Sequence, residues 1–84
     1  MPTVVLYTTR SCPHCAKVRV LFRTHGIKFS EYDVDNDEIR WREAMALAGG
    51  QDIVPVVDVD GKIFYGAYTP KMEKQLKKEL KIAS

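Results

Sequence analysis

With 84 residues the chain has room for one hydrophobic core, and residues 1–84 read as a single domain. Apolar residues at 45% and charged residues at 29% sit in the ordinary globular range and argue against a disordered or fibrous chain. The formal net charge of +2 decides little, and Lys71, Lys74, Lys77, Lys78 and Lys81, which could suggest a basic nucleic-acid face, are interleaved with Glu73 and Glu79, as on the solvated face of a helix.

The first predicted element is a short apolar strand, Thr3 to Tyr7, which lacks clean alternation and so suits a central position covered on both faces. Thr8 to Ser11 reads as a polar loop. Cys12-Pro13-His14-Cys15 then opens a helix with Pro13 in its first turn, where a missing N–H costs nothing. Ala16, Val18, Leu21, Phe22 and His25 continue at helical spacing, and Gly26 is the stop. Ile27 to Val34 alternates and reads as a second strand, which makes the first crossover parallel. Asp35, Asn36 or Asp37 can cap a second helix carrying Ile39, Trp41, Ala44, Met45, Leu47 and Ala48, with Gly49-Gly50 after it.

Val54 to Val59 reads as a strand, Asp60-Gly61 as a two-residue turn, and Lys62 to Tyr65 as the antiparallel partner. Thr69 caps a third helix with Pro70 at its first position, and Met72, Leu76, Leu80 and Ala83 form its apolar line. The order is βαβαββα, an α/β arrangement. The N-terminus lacks a charged region followed by a long apolar stretch, and no apolar run approaches the ~20 residues that span a bilayer, so a cytoplasmic location is expected.

Cys12 and Cys15 stand too close together to staple distant parts of a fold, so the pair reads as chemical. At a strand-to-helix junction the first sulfur meets free N–H groups and the positive end of the helix dipole, which favour a thiolate. The second sulfur lies about one turn on, within reach of a mixed disulfide formed at the first. Cys12 is therefore the expected nucleophile and Cys15 the resolving thiol. Pro13 and His14 are expected to tune the pair, His14 through charge or a hydrogen bond to Cys12. Arg10, in the loop ahead of Cys12, suits carboxylate recognition by its planar fork, whereas Lys17 reads as an exposed helix residue. Tyr7 and Tyr68 are candidates for the groove beside the sulfurs, Tyr68 the stronger. Phe22, Phe29, Trp41 and Phe64 read as packing residues. Zinc is not expected: besides the methionines, Cys12, Cys15, His14 and His25 are the only soft ligands, and a Cys-x-x-Cys needs a second ligand pair.

Cys12-Pro13-His14-Cys15 after the first strand, Val54-Pro55 opening the hairpin and Gly66 before the third helix together resemble the glutaredoxin branch of the thioredoxin superfamily over essentially the full length. The resemblance implies a thioredoxin-like four-stranded mixed sheet flanked by three helices. It places Pro55 in the cis form beside the cysteines and lets the backbone of Val54 pair with an extended substrate, a peptide or glutathione. It also implies a monomeric dithiol–disulfide oxidoreductase acting on protein or small-molecule disulfides, with no tightly bound cofactor and no membrane or nucleic-acid partner.

Two branches remain open. Glutaredoxins proper use glutathione as reductant and commonly carry Thr-Val-Pro, Gly-Gly and an acidic turn. This chain has Ile53-Val54-Pro55, Gly66-Ala67 and Thr69-Pro70 instead, with Arg10 as the nearby cation. NrdH-type redoxins are reduced by thioredoxin reductase, and their small, aromatic, polar and proline segment is similar to Ala67-Tyr68-Thr69-Pro70. A reading from another class is a non-catalytic metal- or cluster-binding module on the same fold, since some glutaredoxins bridge an iron–sulfur cluster between two monomers.

Overall fold

Apolar residues on both sides of a strand need cover on both faces of its sheet, and the chain supplies it. The structure, a computed structural model, describes residues 3–81. Its elements are β1 (Val4–Thr8), α1 (Pro13–Thr24), β2 (Ser30–Asp33), α2 (Glu38–Leu47), β3 (Val56–Val59), β4 (Lys62–Tyr65) and α3 (Pro70–Leu80). The sheet runs β2-β1-β3-β4, with β1 parallel to β2 and the other neighbours antiparallel. This is the expected thioredoxin-like mixed sheet with three helices.

The alternation of β1 and β3 divides the core in two. Val4 and Leu6 of β1 and Val57 and Val59 of β3 face Val18, Leu21 and Phe22 of α1 and Met72, Leu76 and Leu80 of α3. Tyr7 and Val56 face the other way, into a cluster with Val34 and with Ala44 and Ala48 beside α2. Leu6, Phe22 and Leu76 on one face and Val56 and Ala48 on the other are fully buried, so β1 ends at the cysteine motif with rigid packing on both sides.

Local chemistry sets the boundaries. Asp37 caps α2 by accepting from Arg40 N–H at 3.1 Å, and Thr69 caps α3 by accepting from Met72 N–H at 3.2 Å. Asp60 and Gly61, with φ of 50° and 90°, turn the β3–β4 hairpin in the left-handed region that a two-residue turn requires. Thr3 N–H closes on the Asp60 carboxylate at 2.8 Å.

Several boundaries differ from those expected. The second strand starts at Ser30, because Ile27 N–H donates to Phe22 C=O at 2.9 Å and Gly26 N–H to Arg23 C=O at 3.2 Å. This pair of bonds closes α1 and withdraws Ile27 from the ladder. Thr8 belongs to β1 rather than to the loop: it is buried, and its hydroxyl donates to Glu31 Oε2 at 3.0 Å. Val54 and Pro55 precede β3. The buried stripe of α1 is Cys15, Val18, Leu21 and Phe22, which leaves Ala16 and His25 exposed. Ile39 of α2 is likewise exposed. Ala83 lies outside the described residues.

Candidate active site

Three segments meet where β1 ends. The first is the start of α1. Cys12 is the residue before the helix, with extended backbone (φ −95°, ψ 106°), and its Sγ accepts from Cys15 N–H at 3.2 Å. The sulfur thus occupies the place that a Ser or Asp oxygen takes at other helix starts. An amide aimed at it stabilises negative charge that forms there. Pro13 takes the first helical position, where its fixed φ fits and its lack of an N–H leaves nothing unpaired.

The two thiols sit in different surroundings. Cys12 is partly exposed, whereas Cys15 is fully buried at 0% exposure, and both are free. Burial, reinforced by a hydrogen bond with Cys12, pushes the Cys15 thiol up to about 12. Cys15 is therefore a protonated thiol at neutral pH, behind an accessible sulfur.

The second segment is Val54-Pro55, whose connecting peptide bond is cis. The Cys12 thiol reaches the Val54 carbonyl oxygen at 3.9 Å, a weak contact of the kind sulfur makes. The third segment, residues 66–69, joins β4 to α3. Gly66 N–H donates to Pro55 C=O at 3.2 Å, and Tyr68 N–H donates to His14 Nδ1 at 3.2 Å. Gly66 holds φ at +103°, a conformation open to glycine and strained for other residues.

The structure brings Cys12, Pro13, His14, Cys15, Val54, Pro55 and Tyr68 together. Its use of His14 differs from the sequence expectation: Nδ1 faces the Tyr68 amide, 54 residues away along the chain, and not the Cys12 sulfur. The hydroxyl of Thr69 accepts from Met72 N–H as the helix cap. Arg10, with 82% of its side chain exposed, lies against Asp33 at 3.5 Å. Tyr7 is buried beneath the site on the α2 side and donates to Glu43 Oε2 at 3.3 Å, so it lines no groove. Burial first and the Glu43 carboxylate second raise its phenol.

Sequence reasoning missed two features. An open groove of about 460 Å³ runs between α1 and α3 from Tyr68, floored by Ala16, Val20 and Leu21 and edged by Lys17 and Lys77. Val20, at 61% exposure, was visible in the sequence only as an apolar residue out of phase with the buried stripe. The second is the Arg19 guanidinium, which pairs with Glu31 across from α1 to β2 and lowers the Glu31 carboxyl chiefly through that hydrogen bond. Its field also acts on Cys15, against the effect of burial. Among the described residues no three His, Cys, Asp or Glu side chains stand together as a metal ion would require.

A family model described as glutaredoxin matches residues 4–64. An uncharacterized glutaredoxin-like 8.6 kDa protein in the rubredoxin operon of Clostridium pasteurianum is 31% identical over 75 residues, 89% of this chain and 99% of that one. Glutaredoxin 3 of Escherichia coli (strain K12) is 31% identical over 62 residues, 74% of each chain. The solved structure of the glutaredoxin-like protein NrdH-redoxin from Escherichia coli superimposes with a TM-score of 0.70 at 24% identity, over 88% of this chain and 93% of that one, and so shares the fold.

Proposed function

Because the chain belongs to the glutaredoxin family and is a thiol–disulfide oxidoreductase, we propose that it reduces protein or small-molecule disulfides through Cys12 as nucleophile and Cys15 as resolving thiol. The observation that carries this assignment is the asymmetry of the pair: a partly exposed Cys12 Sγ facing Cys15 N–H at 3.2 Å, with the Cys15 side chain fully buried behind it. In the first step the Cys12 thiolate attacks one substrate sulfur, forming a mixed disulfide and expelling one substrate thiolate. Cys15 then loses its proton and attacks the Cys12 sulfur, and the second substrate thiol leaves. The dithiol has given up two electrons and become the Cys12–Cys15 disulfide.

Val54 and Tyr68 flank Cys12 on the two neighbouring segments and are the proposed contacts for the chain on either side of the substrate disulfide. Glutathione is the proposed reductant, with Arg10 exchanging Asp33 for a glutathione carboxylate and the Thr69 backbone as a further proposed contact. A second reading has thioredoxin reductase as the electron donor. It is supported by two commitments already made in the fold: Arg10 is paired with Asp33, and the Thr69 hydroxyl is occupied by its helix cap. No described helix is long and apolar enough to cross a membrane, and a reducing compartment such as the cytoplasm suits a disulfide reductant acting as a monomer.

The test is a paired assay on the oxidised protein. One cuvette holds glutathione, glutathione reductase and NADPH, the other thioredoxin reductase and NADPH. NADPH oxidation in the first supports the glutathione reading, oxidation only in the second replaces it with the reductase reading, and oxidation in neither rejects both donors.

A further inference from the structure

The contacts around Cys12 form a closed circuit. The Cys12 thiol touches the Val54 carbonyl, Pro55 C=O accepts from Gly66 N–H, and Tyr68 N–H returns to His14 Nδ1, two residues from Cys12. Two of these links use backbone or the reacting sulfur. In the third the acceptor is the His14 side chain, and through it the backbone of residues 66–69 is tied back to α1.

We propose that His14 is a positioning residue that sets the segment carrying Tyr68 against the cysteine motif, so that an extended peptide flanking a substrate disulfide is held between Val54 and Tyr68. The inference rests on the exchange reading above and adds a role to a residue between the cysteines. A ring nitrogen that accepts a hydrogen bond carries no hydrogen, so the ring is in the tautomer protonated at Nε2. The geometry also separates this role from tuning of the sulfur. His14 spends Nδ1 on the Tyr68 amide, so losing the ring loosens residues 66–69 while the Cys15 amide stays on Cys12 Sγ. Binding of the flanking peptide is what suffers, and the exchange step at bound substrate is not.

Asparagine provides the discriminating variant, because its Oδ1 can take the place of Nδ1 and accept the same hydrogen bond without the imidazole ring. Reduced wild type, His14→Ala and His14→Asn are mixed in single turnover with excess of a cystine-linked octapeptide dimer, and after an acid quench the free peptide thiols are separated from the protein and counted. This stoichiometry, protein dithiol plus peptide disulfide giving protein disulfide plus two peptide thiols, needs no reductase. The half-saturating peptide concentration is expected to rise about tenfold in His14→Ala, the change that one hydrogen bond of about 1.4 kcal/mol yields. The limiting rate stays within about twofold, and His14→Asn returns the half-saturation to near wild type. Equal half-saturation in His14→Ala and wild type, or equal loss in the Ala and Asn variants, overturns the proposal. A wild type that produces no peptide thiol would instead sink the exchange reading itself. The positioning bond is then judged by amide hydrogen exchange at Tyr68, expected to accelerate about tenfold in His14→Ala but not in His14→Asn; an unchanged rate in the alanine variant rejects it.

Discussion

Alkylation of the reduced protein with iodoacetamide tests the asymmetry of the two sulfurs directly. The reacting species is the thiolate, so each cysteine reports its own ionised fraction and its access to reagent. An ordinary exposed thiol with a pKa of about 8.5 is about one-quarter ionised at pH 8. With the Cys15 thiol pushed up to about 12, its ionised fraction at the same pH is about one in 10⁴, roughly 2,000-fold lower than that reference. Complete burial of the side chain slows it further. Peptide mapping by mass spectrometry after timed quenching should therefore find the label on Cys12 alone until that site is filled. The labelling rate of Cys15 should then climb about tenfold per pH unit from 8 to 11 without a plateau. Cys12→Ser should remain almost unlabelled at pH 8, because desolvation, the largest cause of the Cys15 shift, is untouched by that change. Labelling of Cys15 at an ordinary exposed-thiol rate, or a plateau below pH 10, would refute the assignment of Cys15 as the sheltered resolving thiol.

The same shift makes stability depend on pH with a definite sign. The folded Cys15 pKa lies above its unfolded value, so its contribution is complete below about pH 8 and is lost as pH rises towards 12, by at most about 1.4 kcal/mol per unit. Urea melts of the reduced protein at pH 7.5, 9 and 10.5 should show the midpoint falling slightly over the lower interval and more than twice as far over the upper one. Phe22→Ala removes a fully buried ring that lies 5.2 Å from the Phe29 ring, centroid to centroid, and should cost about 3–5 kcal/mol in the same assay. Thr69→Ala deletes the acceptor of the Met72 amide and should cost about 1 kcal/mol; no change would show that α3 does not need its cap.

Features written in neighbouring residues were legible. Pro13 after Cys12, the run Asp35-Asn36-Asp37 ahead of α2, Asp60-Gly61 between two apolar runs and Thr69-Pro70 ahead of α3 each carry their structural reason within a few positions. The start of β2 was not, because alternation at Ile27 and Phe29 reports which side chains face the core and says nothing of where their amides go. Ile27 does pack on the core, as does Phe29, yet the Ile27 amide belongs to the end of α1. Within the site, the chemistry of Cys12 and Cys15 could be read from spacing. The ring orientation of His14 could not, since it depends on Tyr68 arriving beside it through the whole of the sheet. Arg10 and Thr69 show the complementary difficulty: a side chain suited to a ligand is equally suited to a partner in its own chain, and here Asp33 and the Met72 amide supply those partners.

The strand order has a consequence for how the protein is made. β1 leads directly into the cysteines, yet its antiparallel neighbour is β3, with Val4 opposite Val59. Pairings between residues so far apart in sequence form late, since a long loop must close before they gain anything. On a ribosome, both thiols emerge well before the strand that completes the sheet beside them, and Cys15 is then an ordinary exposed thiol. The difference in reactivity between the two sulfurs belongs to the folded chain, where Cys15 is buried and Cys12 is not, so a nascent or partly unfolded chain is open to indiscriminate oxidation in a way the finished protein is not.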